Sequence, residues 1–509
     1  MNREKSRDLL LEELQNIVGP EDVSDEYEVC MAHARGINMQ PLTEDLHNQM
    51  RMPGYVVLPT TTEETQKVVL AAAKHKVPLS FESSRCTGMS VPVRAGGIHI
   101  DFRKMDKIVE IDEENMRATV EPGVSLAQLQ CEAQKRNTYF PVPGGPAIIS
   151  VISQYASGFP GGKARMYSCG YAYRSSIGYE MVLPDGSVFK PGSGADLMVG
   201  AEIWQHGPGP DMERLCYNVF GAHGPVTKLT LKLWPLEPII KTFWVCFEDI
   251  DDATAFMEKV VPLEIVPNMH LYSGDKWIGY AVDTKESFDR MLRANPDFGA
   301  VITLAGTERQ VEYQEKVLRQ AAQETNGRII TDALPPYDTF VESHRGMGAS
   351  FFSEYAMKYW SARGVSWATF VPLYKPEVLS KTWRAYIKAF FEVPEMYEPD
   401  FGNAEYWHAT ILYPTEGGHY YFGGEHGLQM YTNYDPKSQE VLKKVSNSLV
   451  ASILREPDLP ALGGTFIGTG EMPTGKEMGI LGTRFEVAEK FKKAIDPDNI
   501  MWPGRFFNY

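Results

Sequence analysis

Between residues 54 and 102 an apolar strand, an amphipathic helix, a second strand, a turn of small residues and a further strand follow one another closely, and this order restricts the fold more than any other part of the chain. The first strand, Gly54–Leu58, runs into Pro59-Thr60-Thr61-Thr62-Glu63-Glu64, where Thr61 as N-cap and Glu64 three residues on make a capping box. The helix it opens carries Val68, Val69, Ala72 and Ala73 and runs to about His75. Val77, Leu79 and Phe81 then alternate as a strand, which completes a small βαβ unit. At its carboxyl end, where α/β sheets bind ligands, stands Glu82-Ser83-Ser84-Arg85-Cys86-Thr87-Gly88. Small residues there let successive backbone N–H groups converge into a nest that suits an anion such as a diphosphate. A plain Ser/Gly connection between two elements is the alternative.

Downstream, Ile98–Phe102, Ile108–Ile111 and Ala118–Val120 alternate with charged turns and end in Glu121-Pro122-Gly123-Val124. Ser125 caps a helix over Leu126–Arg136, and Tyr139–Pro141 begins another strand. Pro143-Gly144-Gly145-Pro146 follows, then a loop over Ser150–Gly162 whose serines and glycines allow close approach of backbone to a flat ligand. Tyr179–Leu183 and Ser187–Lys190 form a hairpin through Pro184-Asp185-Gly186. The strand Val226–Trp234 closes a first domain. Ahead of it all, residues 4–18 read as a helix and 25–53 as an irregular surface wrap.

A chain of 509 residues exceeds one core, so two domains are expected. Lys+Arg 50 against Asp+Glu 66 leaves a net charge of −16, which argues against a nucleic-acid partner. The charged opening stretch has no apolar signal-like region and no later run reaches a membrane span, so a cytoplasmic protein is expected. The six cysteines are scattered without a CxxC pair, so neither a disulfide framework nor a metal or iron–sulfur cluster is indicated. Redox chemistry in such a chain needs an organic cofactor.

The shared order of strand–helix–strand, small-residue loop, Glu-Pro-Gly-Val, Pro-Gly-Gly, Asp-Gly hairpin and Gly224–Leu231 resembles the FAD-binding domain of the vanillyl alcohol oxidase / p-cresol methylhydroxylase (PCMH-type) flavoproteins. Ile495-Asp496-Pro497-Asp498-Asn499-Ile500-Met501-Trp502-Pro503-Gly504-Arg505 looks like the signature that ends many members, and 204–238 looks closest to the aromatic-alcohol and alkylphenol branch. The resemblance implies an α+β fold: a two-subdomain FAD-binding domain from residues 1–238 plus 470–509, and an antiparallel-sheet cap from 239–469. Phe243–Phe247, a helix over Asp251–Val261 and the strand Met269–Ser273 suit such a cap, and a last helix, Arg484–Ala494, returns the chain to the first domain.

Carried over by position, Ser83, Ser84, Arg85, Cys86, Thr87 and Gly88 would hold the FAD diphosphate. Pro143, Gly144, Gly145, Ser150 and Ser153 would line the adenine–ribityl side, Val226 would offer backbone to the adenine end, and Arg505 would approach the flavin. The chain departs from the phenol-oxidising branch on the substrate side. That branch holds a phenolate with two tyrosines and an arginine and places a carboxylate near the flavin; the matching positions here are Thr87 or Gly88, Phe466-Ile467 and Gly161. The candidates that remain are Tyr167, Tyr173 and Arg174, whose hydroxyls would polarise a substrate oxygen and whose guanidinium would pair with a carboxylate. His408, near the cap strand from which relatives link covalently to the flavin, is a further candidate.

Three functions are consistent with this reading. The first is an FAD-dependent dehydrogenase or oxidase acting on an aromatic or benzylic alcohol or alkyl-aromatic carbon. The second is a flavoprotein dehydrogenase of 2-hydroxy acids, with Arg174 or Arg363 clamping the carboxylate. The third is a flavin-carrying subunit that passes electrons to an acceptor protein. A small-molecule substrate is expected in the first two, and a homodimer follows the family's habit. Glycines at 463–470 and 191–194 do not stand between a strand and a helix with a downstream acid, so a nicotinamide site is not indicated.

Overall fold

The computed structural model describes residues 3–34, 52–84, 92–140 except 93, 148–156, 175–273 except 197, 202–203, 205–210, 218, 220, 264 and 267, 298–330 and 482–504, with the segments 366–370, 372–374, 405–414, 420–429 and 465–466 and the single residues 380, 384 and 507.

Helix α1 (Arg3–Val18), strand β1 (Val23–Ser24) and helix α2 (Tyr27–His33) precede β2 (Tyr55–Val57), α3 (Thr62–His75), β3 (Leu79–Glu82) and β4 (Ile98–Asp101). Their sheet has the order β1-β2-β4-β3, with β2 and β3 both parallel to β4. Parallel neighbours need a crossover, and α3 supplies it. Thr61 caps α3 by accepting the Glu64 amide at 3.1 Å, while the Glu64 carboxylate reaches one residue past the cap to the Thr60 amide at 2.7 Å. Leu10 and Leu14 of α1 and Val68, Val69 and Ala72 of α3 pack with Val57, Leu79, Ile98 and Ile100 into one core. The segment expected to be irregular contains α2. Its N-cap, Glu26, makes no side-chain capping bond, and its buried face is Cys30 and His33, so neither a cap nor an apolar period announces it.

The second sheet is antiparallel, in the order β5 (Ile108–Asp112), β6 (Arg117–Val120), β10 (Val226–Lys232), β8 (Ser176–Val182), β9 (Val188–Phe189). Helix α4 (Leu126–Gln134) covers it with Leu126, Leu129 and Ala133 against Leu229 and Leu231. The predicted hairpin joins β8 to β9, and Gly186 takes the positive φ of 79° that the turn requires. The strand expected at Tyr139–Pro141 is β7 (Thr138–Tyr139), which pairs with β11 (Trp234–Pro235). The segment read as a loop from Ser150 starts with helix α5 (Val151–Ala156). Ser150 Oγ accepts the Ser153 amide at 3.2 Å, and Val151, Ile152 and Tyr155 are buried, so capping and burial outweigh the small-residue composition.

The third sheet begins with β12 (Ile239–Phe247), which pairs with β14 (Phe298–Gly306) and β15 (Arg328–Ile330); β13 (Asn268–Ser273) lies on the far side of β14. It continues through β18 (Glu405–Pro414) and β19 (Tyr420–Gln429) to β16 (Ser366–Phe370), β17 (Pro372–Tyr374) and β20 (Thr465–Phe466). Helices α6 (Ile250–Val260) and α7 (Glu308–Glu324) cover it, burying Phe256, Met257, Val260, Leu318 and Ala322 against Val245, Phe247, Ala300 and Ile302. Each such large side chain contributes about 1.5–3 kcal/mol by leaving water. Helix α8 (Gly482–Ile495) then carries the chain back to the first sheet. Helices and antiparallel sheets in separate layers make the fold α+β. Among the described residues, no helix is long and apolar enough to cross a membrane.

Candidate cofactor site

Strand β3 is braced at its first residue, Leu79, by the C-terminal segment. The Leu79 amide donates to the Ile500 carbonyl at 2.7 Å, and the Trp502 amide donates to the Leu79 carbonyl at 2.8 Å, so Met501 runs beside β3 as a parallel bridge. Trp502 meets Phe81 edge-on, with ring centroids 5.6 Å apart. Gly221 completes this wall at φ 78°, and a Cβ there would lie 2.4 Å from the Phe81 ring and 3.0 Å from Trp502 Nε1. Ser83 and Ser84 follow directly from this braced strand and are half-buried.

What holds the C-terminal segment is an ion pair in the interior. Lys492 and Asp496, one turn apart on and after α8, have side chains 1% exposed and are in direct contact. The Lys492 ammonium also donates to the Ala222 carbonyl at 2.7 Å and the Met501 carbonyl at 3.0 Å, which uses all three of its hydrogens. Burial lowers its pKa, and Asp496 opposes that shift. Asp496 in turn accepts the Ile500 amide at 3.0 Å and the Met501 amide at 2.9 Å. One buried pair therefore fixes the turn that lays Met501 against β3.

The second sheet meets the first at α3. Ser125 and Gln128 form a reciprocal capping box at the start of α4, and Ser150 pairs with Ser125 as an isolated antiparallel bridge. The Ser150 hydroxyl donates to the Pro122 carbonyl at 2.5 Å, which ties Glu121-Pro122-Gly123 to α5. Val226 pairs with Met181 on the β8 side, whereas the β6 ladder begins at Leu229, so one edge of the Val226 backbone lies beyond the ladder. Glu180 joins the two sheets. It accepts from Thr62 Oγ1 at 2.7 Å, Thr227 Oγ1 at 3.0 Å, Lys228 Nζ at 3.1 Å and Lys190 Nζ at 3.2 Å. Burial raises its pKa, but the Thr62 hydroxyl and Lys228 outweigh this and hold it at about 2. Glu213, by contrast, is pushed up to about 7 by burial, against hydrogen bonds from Ser176 and Tyr217.

Of the residues predicted for the site, the structure brings Ser83 and Ser84 to the end of β3, places Ser150 and Ser153 at the start of α5, and puts Val226 at the start of β10. Ser150 is thereby committed to backbone, and Ser153 offers its amide to Ser150. His408 stands in β18 opposite His426 of β19. Arg85, Cys86, Thr87, Gly88, Pro143, Gly144, Gly145, Tyr167, Tyr173, Arg174 and Arg505 lie outside the described residues. Lys492, Asp496, Glu180 and Gly221 were missed by the sequence reasoning; the signature Asp496-Pro497 was its only hint of the buried pair.

The arrangement suits a dinucleotide. Two half-buried serines leave a parallel strand's carboxyl end, a glycine keeps an aromatic wall clear of a Cβ, and buried Ser175 Oγ at the start of β8 makes no hydrogen bond among the described residues. Residues 53–192 match the family model described as an FAD binding domain. The chain is 28% identical over 316 residues to the 4-cresol dehydrogenase [hydroxylating] flavoprotein subunit of Pseudomonas putida, covering 56% of this chain and 58% of that protein. It is 27% identical over 258 residues to a glycolate oxidase subunit of Bacillus subtilis, covering 50% of this chain and 51% of that protein. The matches thus span little more than half the length of these relatives. Among solved structures, p-cresol methylhydroxylase with substrate bound superimposes with a TM-score of 0.76 at 20% identity, over 99% of this chain and 97% of that one. Residues 53–192 thus carry the likeness to an FAD binding domain, within a fold that the chain shares along nearly its whole length with p-cresol methylhydroxylase.

Proposed function

We propose that the chain is an FAD-dependent oxidoreductase that removes a hydride from an aromatic or benzylic alcohol or an alkyl-aromatic carbon. The observation that carries this reading is the 28% identity over 316 residues to the 4-cresol dehydrogenase flavoprotein subunit. In the proposed division, 1–238 with 470–509 hold FAD and 239–469 cover the substrate. Bound FAD supplies the hydride acceptor. Ser83, Ser84 and the residues through Gly88 hold its diphosphate, with Pro143, Gly144, Gly145 and Val226 along the rest of the dinucleotide. Tyr167 and Tyr173 orient the substrate oxygen, and one of them, as its phenolate, or His408 as a neutral imidazole would take up the proton released on oxidation. Strands β18 and β19, where register sets Tyr413 opposite Tyr421, belong to this proposed cover. Electrons then leave to oxygen or to an acceptor protein.

A second reading, oxidation of a small 2-hydroxy acid clamped by Arg174 or Arg363, is favoured by the likeness to the glycolate oxidase subunit. Anaerobic mixing of the FAD-loaded protein with a 4-hydroxybenzylic alcohol and, separately, with a 2-hydroxy acid distinguishes the two. The first reading expects the aromatic compound to bleach the flavin absorbance. Bleaching by the acid alone overturns it in favour of the second.

A further inference from the structure

Behind the proposed cofactor loop, α2, β3 and β4 bring two imidazoles and two carboxylates together in the interior. His33 Nε2 lies 3.2 Å from Asp101 Oδ2 and 3.5 Å from Glu82 Oε1, and His99 Nε2 lies 3.5 Å from Glu82 Oε2. All four residues are buried, His99 and Asp101 completely. The two rings are 5.6 Å apart, and one ligand atom from each of His33, Glu82 and Asp101 falls within 4.8 Å of the others. None of the four is used by the flavin site.

Two features point to a cation at the centre. His33 Nδ1 is 2.8 Å from the Val29 carbonyl, which only accepts, so Nδ1 carries the hydrogen. In the neutral ring Nε2 is then a lone pair aimed at two carboxylates, an arrangement that a cation relieves. The second feature is independent: His99 Nε2 is fully buried, faces Glu82 and makes no hydrogen bond among the described residues, while its Nδ1 is occupied by Ser80 Oγ at 2.8 Å. Spacing selects the ion. Bonds of about 2.0–2.1 Å in a tetrahedron separate neighbouring ligands by about 3.4 Å; His33 Nε2 lies 3.2 Å from Asp101 and 3.5 Å from Glu82, and the three ligand atoms all fall within 4.8 Å of one another. Imidazole ligands favour a Zn2+-class ion over Mg2+ or Ca2+. The outer shell is in place as well. A backbone carbonyl orients His33, the Arg103 amide donates to Asp101 Oδ1 at 3.0 Å, and the Arg103 guanidinium meets Oδ2, the oxygen that faces His33, with Nε at 2.6 Å and with Nη. The shared Arg103 charge makes the site weaker than a thiolate one.

We propose that His33, Glu82 and Asp101 bind one divalent transition cation of the Zn2+ class. The ion staples α2 to β3 and β4 at the point where the chain enters Ser83; only the link to the cofactor loop rests on the flavin reading. The test uses the full chain, chelator-treated and then titrated with Zn2+ or with Co2+ as a visible probe, with and without FAD. One Zn2+ per chain is expected in both cases, with Co2+ giving ligand-field bands that Zn2+ displaces. Zn K-edge absorption of the wild type should show a nitrogen/oxygen shell with imidazole scattering. His33→Ala and Glu82→Gln should each weaken uptake by at least about 10–100-fold with circular dichroism unchanged. Wild-type protein that takes up neither metal at micromolar free concentration overturns the proposal. A sulfur shell, or uptake that both variants leave intact, overturns it too. Because uptake is read without FAD, a failure of the flavin reading leaves this result standing.

Discussion

Leu79 and Met501, from opposite ends of the chain, lie side by side as a parallel bridge, closed by the Leu79 amide on the Ile500 carbonyl and the Trp502 amide on the Leu79 carbonyl. The C-terminal segment is thus an extra edge to the strand that leads into the small-residue loop. Flavin retention should therefore depend on residues far from the flavin.

Lys492→Met tests that dependence. It leaves Asp496 buried without its ammonium partner, which costs about 3–5 kcal/mol and frees the turn that sets Met501 on β3. Denaturant unfolding should show the loss, and the purified variant should retain less FAD than the wild type by flavin absorbance.

Gly221→Ala should act at the same wall. A non-glycine residue is strained at φ 78°, and its Cβ would meet the Phe81 ring at 2.4 Å. Strain of this kind costs about 1–3 kcal/mol, and Trp502 must move. A lower thermal midpoint and altered tryptophan fluorescence are expected.

Ser84→Glu probes the proposed anion nest directly. A carboxylate close to a diphosphate costs about 1–4 kcal/mol near a surface, so FAD affinity should fall at least about tenfold. The readout is a fluorescence titration of the deflavinated protein, with stability as the control.

Glu213 predicts a pH dependence. Burial raises its pKa in the folded state to about 7, from an ordinary value of 4.5. Its contribution to stability is therefore complete below about pH 4.5 and is lost as pH rises through 7, up to about 3 kcal/mol. Glu213→Gln should flatten this part of the pH profile measured by denaturant unfolding.

Local chemistry was legible in the sequence wherever one residue dictates one conformation. Thr61 caps α3, Asp185-Gly186 turns β8 into β9, and Ser125 opens α4, all within a few residues of where the sequence reading put them. The α+β class came through the family resemblance that the order of such elements carries. Partners brought in from elsewhere in the fold were not legible. Lys492 and Lys493 read alike as the basic end of a helix, yet the first is buried with Asp496 and the second is 47% exposed. In Ile98-His99-Ile100-Asp101 the alternation suggests one solvent face, but β4 is an interior strand with all four residues buried. His99 and Asp101 therefore share a buried face against which α2, itself uncapped, sets His33.

Flavin reduction in a single anaerobic turnover, with a 4-hydroxybenzylic alcohol carrying hydrogen or deuterium at its benzylic carbon, tests the central claim most directly. Hydride transfer from that carbon predicts that the flavin absorbance bleaches with both, several-fold more slowly with deuterium. An FAD-loaded protein that neither substrate bleaches, or that both bleach at the same rate, contradicts it.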